Sequence, residues 1–327
     1  LSKADTPALP FLSAAEVRRQ IGPDQARRLI ESALLSDFDP AEDPARSHVP
    51  AGEGHLLLMP SILGDAVGVK IATVTPGNPA RGAPRIQALY LLLDSETLTP
   101  RAVLDGGVLT ALRTPAVTAV ACDQLAAEDA ERMVVFGTGP QAVEHIVAMT
   151  LIRPLSDIRL VGRTPEKTRG ALNDLAARGH DAAPGRIQDV EKADIVVCAT
   201  SAASPLFAHD LVGNGACVAA IGSHEPTRRE LPGELLGRSE VFVEDRDTAF
   251  REAGDIILAA EEGFIVPEGR NFHDLSALVR GTVRRREDKP NVFKGTGMSW
   301  QDLAVVRAIN LPADVHGEDV RNSGGIR

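Results

Sequence analysis

Val134-Val135-Phe136 runs into Gly137-Thr138-Gly139-Pro140-Gln141-Ala142, and a stretch rich in Ala, Val and Ile follows. This is a G-x-G-x-x-A spacing between a strand-like run and a helix-like run, the context in which such a turn holds a pyrophosphate. Gly137 permits the tight turn, Gly139 lets backbone approach the phosphates, and Ala142 lets helix and strand pack closely. The helix start, with Pro140 and Gln141 in its first turn, adds free N–H groups and a partial positive charge. The next apolar run ends at Leu160-Val161-Gly162-Arg163-Thr164. An NAD-preferring site carries Asp or Glu there for the ribose hydroxyl. A guanidinium matches a 2′-phosphate instead, so Arg163 and Thr164 point to NADP(H), with NAD(H) as the alternative. The competing reading makes Arg163 a solvated residue at a helix start.

Other cations stand in apolar company. Lys70 lies inside Val67-Gly68-Val69-Lys70-Ile71-Ala72-Thr73-Val74, and Arg113 sits between Leu112 and Thr114. A buried charge is costly unless paired, so both are expected to serve a site. Thr200 and Ser201 follow an apolar run, at the C-terminal strand ends where ligands bind in open parallel sheets; a helix cap is the simpler reading of the pair.

The elements that must position these residues fall into two groups. Residues 13–36 read as one amphipathic helix, opened by a capping box of Ser13 and Glu16. Residues 37–54 are polar and rich in Pro, Asp and Gly, hence a loop. Strand-like runs follow at 55–60, 66–74 and 87–94, and a turn at 94–97 leads into another over 98–104. With no helices between them, they predict an antiparallel or mixed sheet. From about residue 116 the pattern becomes strand, turn, helix, repeated into four or five strands of a doubly wound parallel sheet. Residues 246–280 read as helical with polar breaks, and 291–310 as strand, Gly turn and helix. The expected organisation is a mixed-sheet domain over 1–116, whose apolar strands suit dimerisation, and a Rossmann-type dinucleotide domain over 117–295. The last helix, in 296–327, returns to the first domain.

Composition narrows the classes. A chain of 327 residues suggests about two domains at roughly 150 residues each. Its net charge of −10, without a Lys/Arg run, argues against nucleic acid as partner, and 3% aromatic residues leave little for base stacking. No apolar run approaches the roughly 20 residues that span a bilayer, and no signal peptide is recognisable, so no membrane partner is expected. Cys122, Cys198 and Cys217 form no C-x-x-C, which fits reduced thiols in the cytoplasm. The histidines show no ligand spacing, so no metal is expected.

Several segments together resemble the ornithine cyclodeaminase/mu-crystallin family. They are Lys70 with Pro76-Gly77-Asn78, the block 91–116 containing Leu109-Thr110-Ala111-Leu112-Arg113-Thr114, the turn 137–142, and the stretches 193–202, 225–231 and 292–302. The resemblance implies a Rossmann domain, a dimer, a nicotinamide cofactor and a small amino or imino acid substrate. It makes 1–116 the substrate-binding domain as well, and places Arg46, Lys70, Arg113 and Thr296 about the substrate. Arg85, Arg113, Gly222, Arg228 and Gly295 join the turn residues about the cofactor. A guanidinium fork grips a carboxylate, and a lysine can polarise an imine or carry its proton. Where ornithine cyclodeaminases carry Asp, this chain has His224 beside Glu225, and either residue could take over the acid–base work. The expected activity is NADP(H)-dependent reduction of a small α-imino acid, or oxidation of the matching amino acid, with Lys70 and His224 catalytic. The alternatives are an ornithine cyclodeaminase recycling bound NAD and a non-catalytic NADPH- and ligand-binding protein.

Overall fold

The computed structural model describes residues 9–266 and 269–311. The first group of elements is β1 (Phe11–Leu12), α1 (Ala14–Gln20), α2 (Pro23–Leu35), β2 (Ser47–Ala51), β3 (Gly54–Leu63), β4 (Ala66–Val74), β5 (Ile86–Leu93), β6 (Pro100–Asp105) and α3 (Gly106–Leu125). Its six strands form one sheet in the order β1-β6-β5-β4-β3-β2, antiparallel except where β1 pairs β6. Strict alternation builds β4: Ala66, Gly68, Lys70, Ala72 and Val74 point inward and are buried, while Ile71 points out. That period places the Lys70 ammonium on the covered face.

The second group is β7 (Arg132–Phe136), α4 (Pro140–Thr150), β8 (Asp157–Val161), α5 (Pro165–Ala177), β9 (Ala183–Pro184), β10 (Ile195–Cys198), β11 (Cys217–Ala220), α6 (Gly233–Arg238), β12 (Glu240–Val243), α7 (Arg246–Glu252), α8 (Gly254–Glu261), β13 (Phe272–Asp274), α9 (Leu275–Val279), β14 (Asn291–Lys294) and α10 (Ser299–Val306). Its strands form an all-parallel sheet in the order β13-β12-β14-β11-β10-β7-β8-β9. Both faces are covered, as parallel sheets require. Val134, Val196 and Val218 pack into a core on one face, and Val135, Val197 and Ala219 into a core on the other. The second of these cores continues through α3 and α10 into the six-stranded sheet, reaching Tyr90 and Leu104. Helix α10 packs on β3, β4, α2 and α3, all in the first group of elements.

Four expectations need correction. The helix read over 13–36 is two helices, because Gly22 precedes Pro23 at the first position of α2. The capping box at Ser13 forms, its N–H donating to Glu16 at 2.8 Å. The loop read over 37–54 contains β2, a fully exposed edge strand with no apolar alternation to betray it. Residues 246–280 are not simply helical, since three residues form β13 on the sheet's edge. Helix α3 is continuous from residue 106 to 125, so a division at 116 falls in mid-helix, next to Pro115. The part of the expected C-terminal segment over 312–327 lies outside the described residues.

Candidate active site

A cavity of about 290 Å³ opens where the two groups of elements meet. Thirteen of the residues expected at the site line it: Arg46, Lys70, Arg85, Arg113, Gly139, Pro140, Gln141, Thr200, Ser201, Gly222, His224, Gly295 and Thr296. Gly137, Arg163, Thr164 and Arg228 do not. Gly137 lies one turn below, at φ +117°, where a Cβ would collide with the Ala199 carbonyl oxygen. Arg163 and Thr164 are exposed at the end of β8, the strand beside β7. Arg228 donates to the Ser201 carbonyl and braces the loop from outside.

The turn between β7 and α4 fits a dinucleotide. Among the described residues nothing stands within 4 Å of where a Gly139 Cβ would be, so this backbone faces open space at the helix N-terminus. Gln141 Oε1 and Arg113 Nε are buried without a hydrogen-bond partner among the described residues, leaving polar capacity beside the cavity.

Opposite the turn, three cations converge. Lys70 is buried and donates to Asp302 Oδ2 at 2.5 Å, with Thr110 Oγ1 at 3.4 Å. Arg113 reaches the same Asp302 oxygen at 3.6 Å through Nε and donates from one terminal nitrogen to Gln301 Oε1 at 3.0 Å. Gln301 Nε2 donates onward to Glu244 at 2.6 Å. Gly297, at φ +80°, lies so close beneath the Arg113 guanidinium that a side chain there would displace it. Arg46 pairs with Glu252 and donates to the carbonyls of Thr296 (3.2 Å) and Gly297 (3.0 Å). Burial raises the Glu252 carboxyl, but Arg46 and Arg251 outweigh it and hold the group below its usual range. For Lys70, burial and then the Arg113 charge prevail over the pull of Asp302 and bring its pKa down to about 8.

His224 lines the same cavity from the loop after β11. Burial, then the charges of Arg46, Lys294 and Arg85, bring its pKa down to about 3. It is therefore neutral at neutral pH, an imidazole with one ring nitrogen to donate and the other to accept a hydrogen bond. Glu225 turns away and pairs with Arg85 at 3.0 Å. Beneath this loop Lys294, wholly buried in β14, donates to the Ser223 carbonyl at 2.6 Å and faces Asp255 at 3.3 Å. Glu230 accepts from the backbone N–H groups of Thr200 and Gly222, each at 2.7 Å.

Asp302, Gln301, Glu244, Glu252, Glu230 and Lys294 were not anticipated. Asp302 and Lys294 stand inside the tail motif 292–302, and an acid beside a Trp in an apolar helix was the available signal. Gln301 lies in the same motif, Glu230 in the stretch 225–231 and Glu244 at the end of the apolar run of β12, while Glu252 lies in a polar stretch.

The profile of the ornithine cyclodeaminase/mu-crystallin family matches residues 10–313. The ketimine reductase mu-crystallin of Mus musculus is 29% identical over 309 residues, covering 91% of this chain and 96% of its own. The Delta(1)-pyrroline-2-carboxylate reductase of Bacillus thuringiensis subsp. konkukian is 32% identical over 275 residues, with 81% and 84% covered. In three dimensions, the Thermococcus litoralis Delta(1)-pyrroline-2-carboxylate reductase, solved with NADH and L-proline, aligns with a TM-score of 0.86 and 25% identity. That alignment covers 92% of this chain and 96% of the other.

Proposed function

The chain belongs to the ornithine cyclodeaminase/mu-crystallin family, and from that premise we propose that it reduces small α-imino acids with NADPH, and oxidises the matching amino acids in reverse. The observation that carries this reading is the buried cluster of Lys70, Asp302 and Arg113, facing an open glycine turn across one cavity. Gly139, Pro140, Gln141, Thr200, Ser201, Gly222 and Gly295 would hold the nicotinamide cofactor, with Arg85 near its phosphates. Arg163 at the end of β8 would meet a 2′-phosphate. When bound, the cofactor supplies hydride to the substrate carbon. Arg46 and Arg113 hold the α-carboxylate, each fixed by its own acid or amide. Lys70, kept cationic but weakened as a base by its surroundings, hydrogen-bonds the imine nitrogen and gives it the proton. This assigns to Lys70 the proton expected of His224; the neutral imidazole orients the substrate instead.

Ornithine cyclodeamination is the weaker reading, because the residue in the Asp position is a neutral histidine, which cannot hold a distal ammonium as a carboxylate does. A purely ligand-binding role leaves the weakened Lys70 without a task. The test is NADPH consumption with 2-oxo acids and amines in a panel that includes cyclic imines. Ammonia and proline released from ornithine without added reductant would favour the cyclodeaminase, and no turnover would favour the binding protein.

The proposed assembly is a homodimer, supported by the apolar outer face of the six-stranded sheet. Leu58, Ile62, Ile71 and Leu89 there are each exposed by a third or more. The proposed location is the cytoplasm, supported by Cys122, Cys198 and Cys217, which are buried free thiols. Among the described residues no helix is long and apolar enough to cross a membrane.

A further inference from the structure

Leu57, Met59, Ala72 and Val74 form a buried apolar cluster separate from both larger cores, with Ala88 packed against it. All four line the cavity. They come from the inward faces of β3 and β4, where Met59 pairs with Lys70, Leu57 with Ala72 and Ala72 with Ala88. Ala72 is two residues beyond Lys70 on the same face, about 7 Å away. A molecule whose nitrogen meets Lys70 therefore lays its next atoms on this strip.

The charges around the strip are already committed. Glu244 accepts from the backbone N–H groups of Thr296 and Gly297, from Thr296 Oγ1 and from Gln301. Asp302 is shared by Lys70 and Arg113, and Glu252 by Arg46 and Arg251. Both oxygens of Glu244 and of Glu252 are engaged, and Asp302 Oδ1, which has no hydrogen-bond partner among the described residues, is fully buried and does not line the cavity. On the cationic side, Arg85 pairs with Glu225 through one terminal nitrogen and is assigned to the cofactor phosphates, while the strip itself carries no charged side chain.

We infer that this cavity contains a hydrocarbon subsite, built by Leu57, Ala72 and Val74, and that the substrate is an imino acid with an aliphatic, uncharged side chain. The inference rests on the reductase reading and narrows it. Each methylene placed on such a wall raises kcat/KM about fourfold until the strip is covered. A charged group sent there loses its hydration without a partner, a penalty on the order of a hundredfold or more.

The experiment follows NADPH consumption with ammonia and, in turn, glyoxylate, pyruvate, 2-oxobutyrate, 2-oxovalerate and oxaloacetate. The intact chain should show kcat/KM rising from glyoxylate to 2-oxovalerate, with oxaloacetate at least a hundredfold below 2-oxovalerate. The readout in variants is the ratio of 2-oxovalerate to glyoxylate, which a general loss of folded protein does not move. Leu57→Glu should lower that ratio at least thirtyfold. If that variant does not fold, Ala72→Leu, which fills the strip with carbon, should lower it at least tenfold. Oxaloacetate used as well as 2-oxovalerate overturns the inference and leaves the reductase standing. So does a ratio unchanged in Ala72→Leu. Consumption with none of the imines overturns the reductase reading and this one together.

Discussion

Lys70 was legible because an apolar strand has one inward position in two, and a charge at such a position needs a partner. Its partner was not legible. Asp302 is 232 residues further along the chain, and no local pattern ties the two together. The pair sets a pH dependence. With Lys70 near 8, kcat/KM for reduction should fall as pH rises through about 8, because the ammonium that protonates the imine is lost. Oxidation of the amino acid should rise through the same range, since the free amine accepts the proton. Lys70→Met should fold, keep its affinity for NADPH, lose about a hundredfold or more in turnover, and lose that limb of the pH–rate profile. Retention of most activity would make Lys70 structural. Arg163 belongs to the same scale. Its exposed position leaves it free to meet a phosphate, so Arg163→Asp should weaken NADPH at least tenfold relative to NADH, measured by fluorescence titration. Equal affinities of the unmodified chain for the two cofactors would remove the basis for that expectation.

Helix α3 positions more of the site than any other element, contributing Thr110, Arg113, Thr114 and Val117 to the cavity. It starts where Asp105 accepts a hydrogen bond from the Val108 N–H at 2.9 Å, satisfying one of the free donors of the first turn. Asp105→Ala should cost about 1 kcal/mol, seen as a melting temperature lower by about 2–4 °C in scanning calorimetry. An unchanged melting temperature would show that the cap adds nothing. The antiparallel strands and the glycine turn could be read from alternation and spacing, and β4 has the bounds expected of it. What escaped reading were elements without such a signature. The edge strand β2 is exposed throughout and has no alternation, and β9 and β13 are too short to carry a period. The change of pattern near residue 116 does not mark an element boundary, for α3 runs through Pro115, where burial outweighs one missing hydrogen bond.

At the scale of the molecule, the described residues cover the six-stranded sheet on its inner face alone. On its outer face the cross-strand rows Leu58–Ile71–Leu89, Pro60–Val69–Leu91 and Ile62–Val67–Leu93 make an apolar grid. A two-fold dimer packing these grids together is the expected state in sedimentation at micromolar concentration. The double variant Ile71→Glu, Leu89→Glu should sediment as a monomer, because four like charges would then face one another across the axis. A single species at monomer mass for the unmodified chain would contradict this.

The position of β14 sets an order of events in the cell. This strand lies between β11 and β12, so the middle of the parallel sheet is built from residues 291–294, long after the strands at 217–220 and 240–243 have been made. At about 5–20 residues per second, a growing chain carries those two strand edges unpaired for several seconds. Through that interval it is exposed to proteases, chaperones and its own neighbours. When β14 arrives it brings Lys294 beneath the His224 loop, and α10 then delivers Asp302 to Lys70. A nascent chain therefore passes from two unfinished half-sheets to a closed fold with an assembled site in one late step.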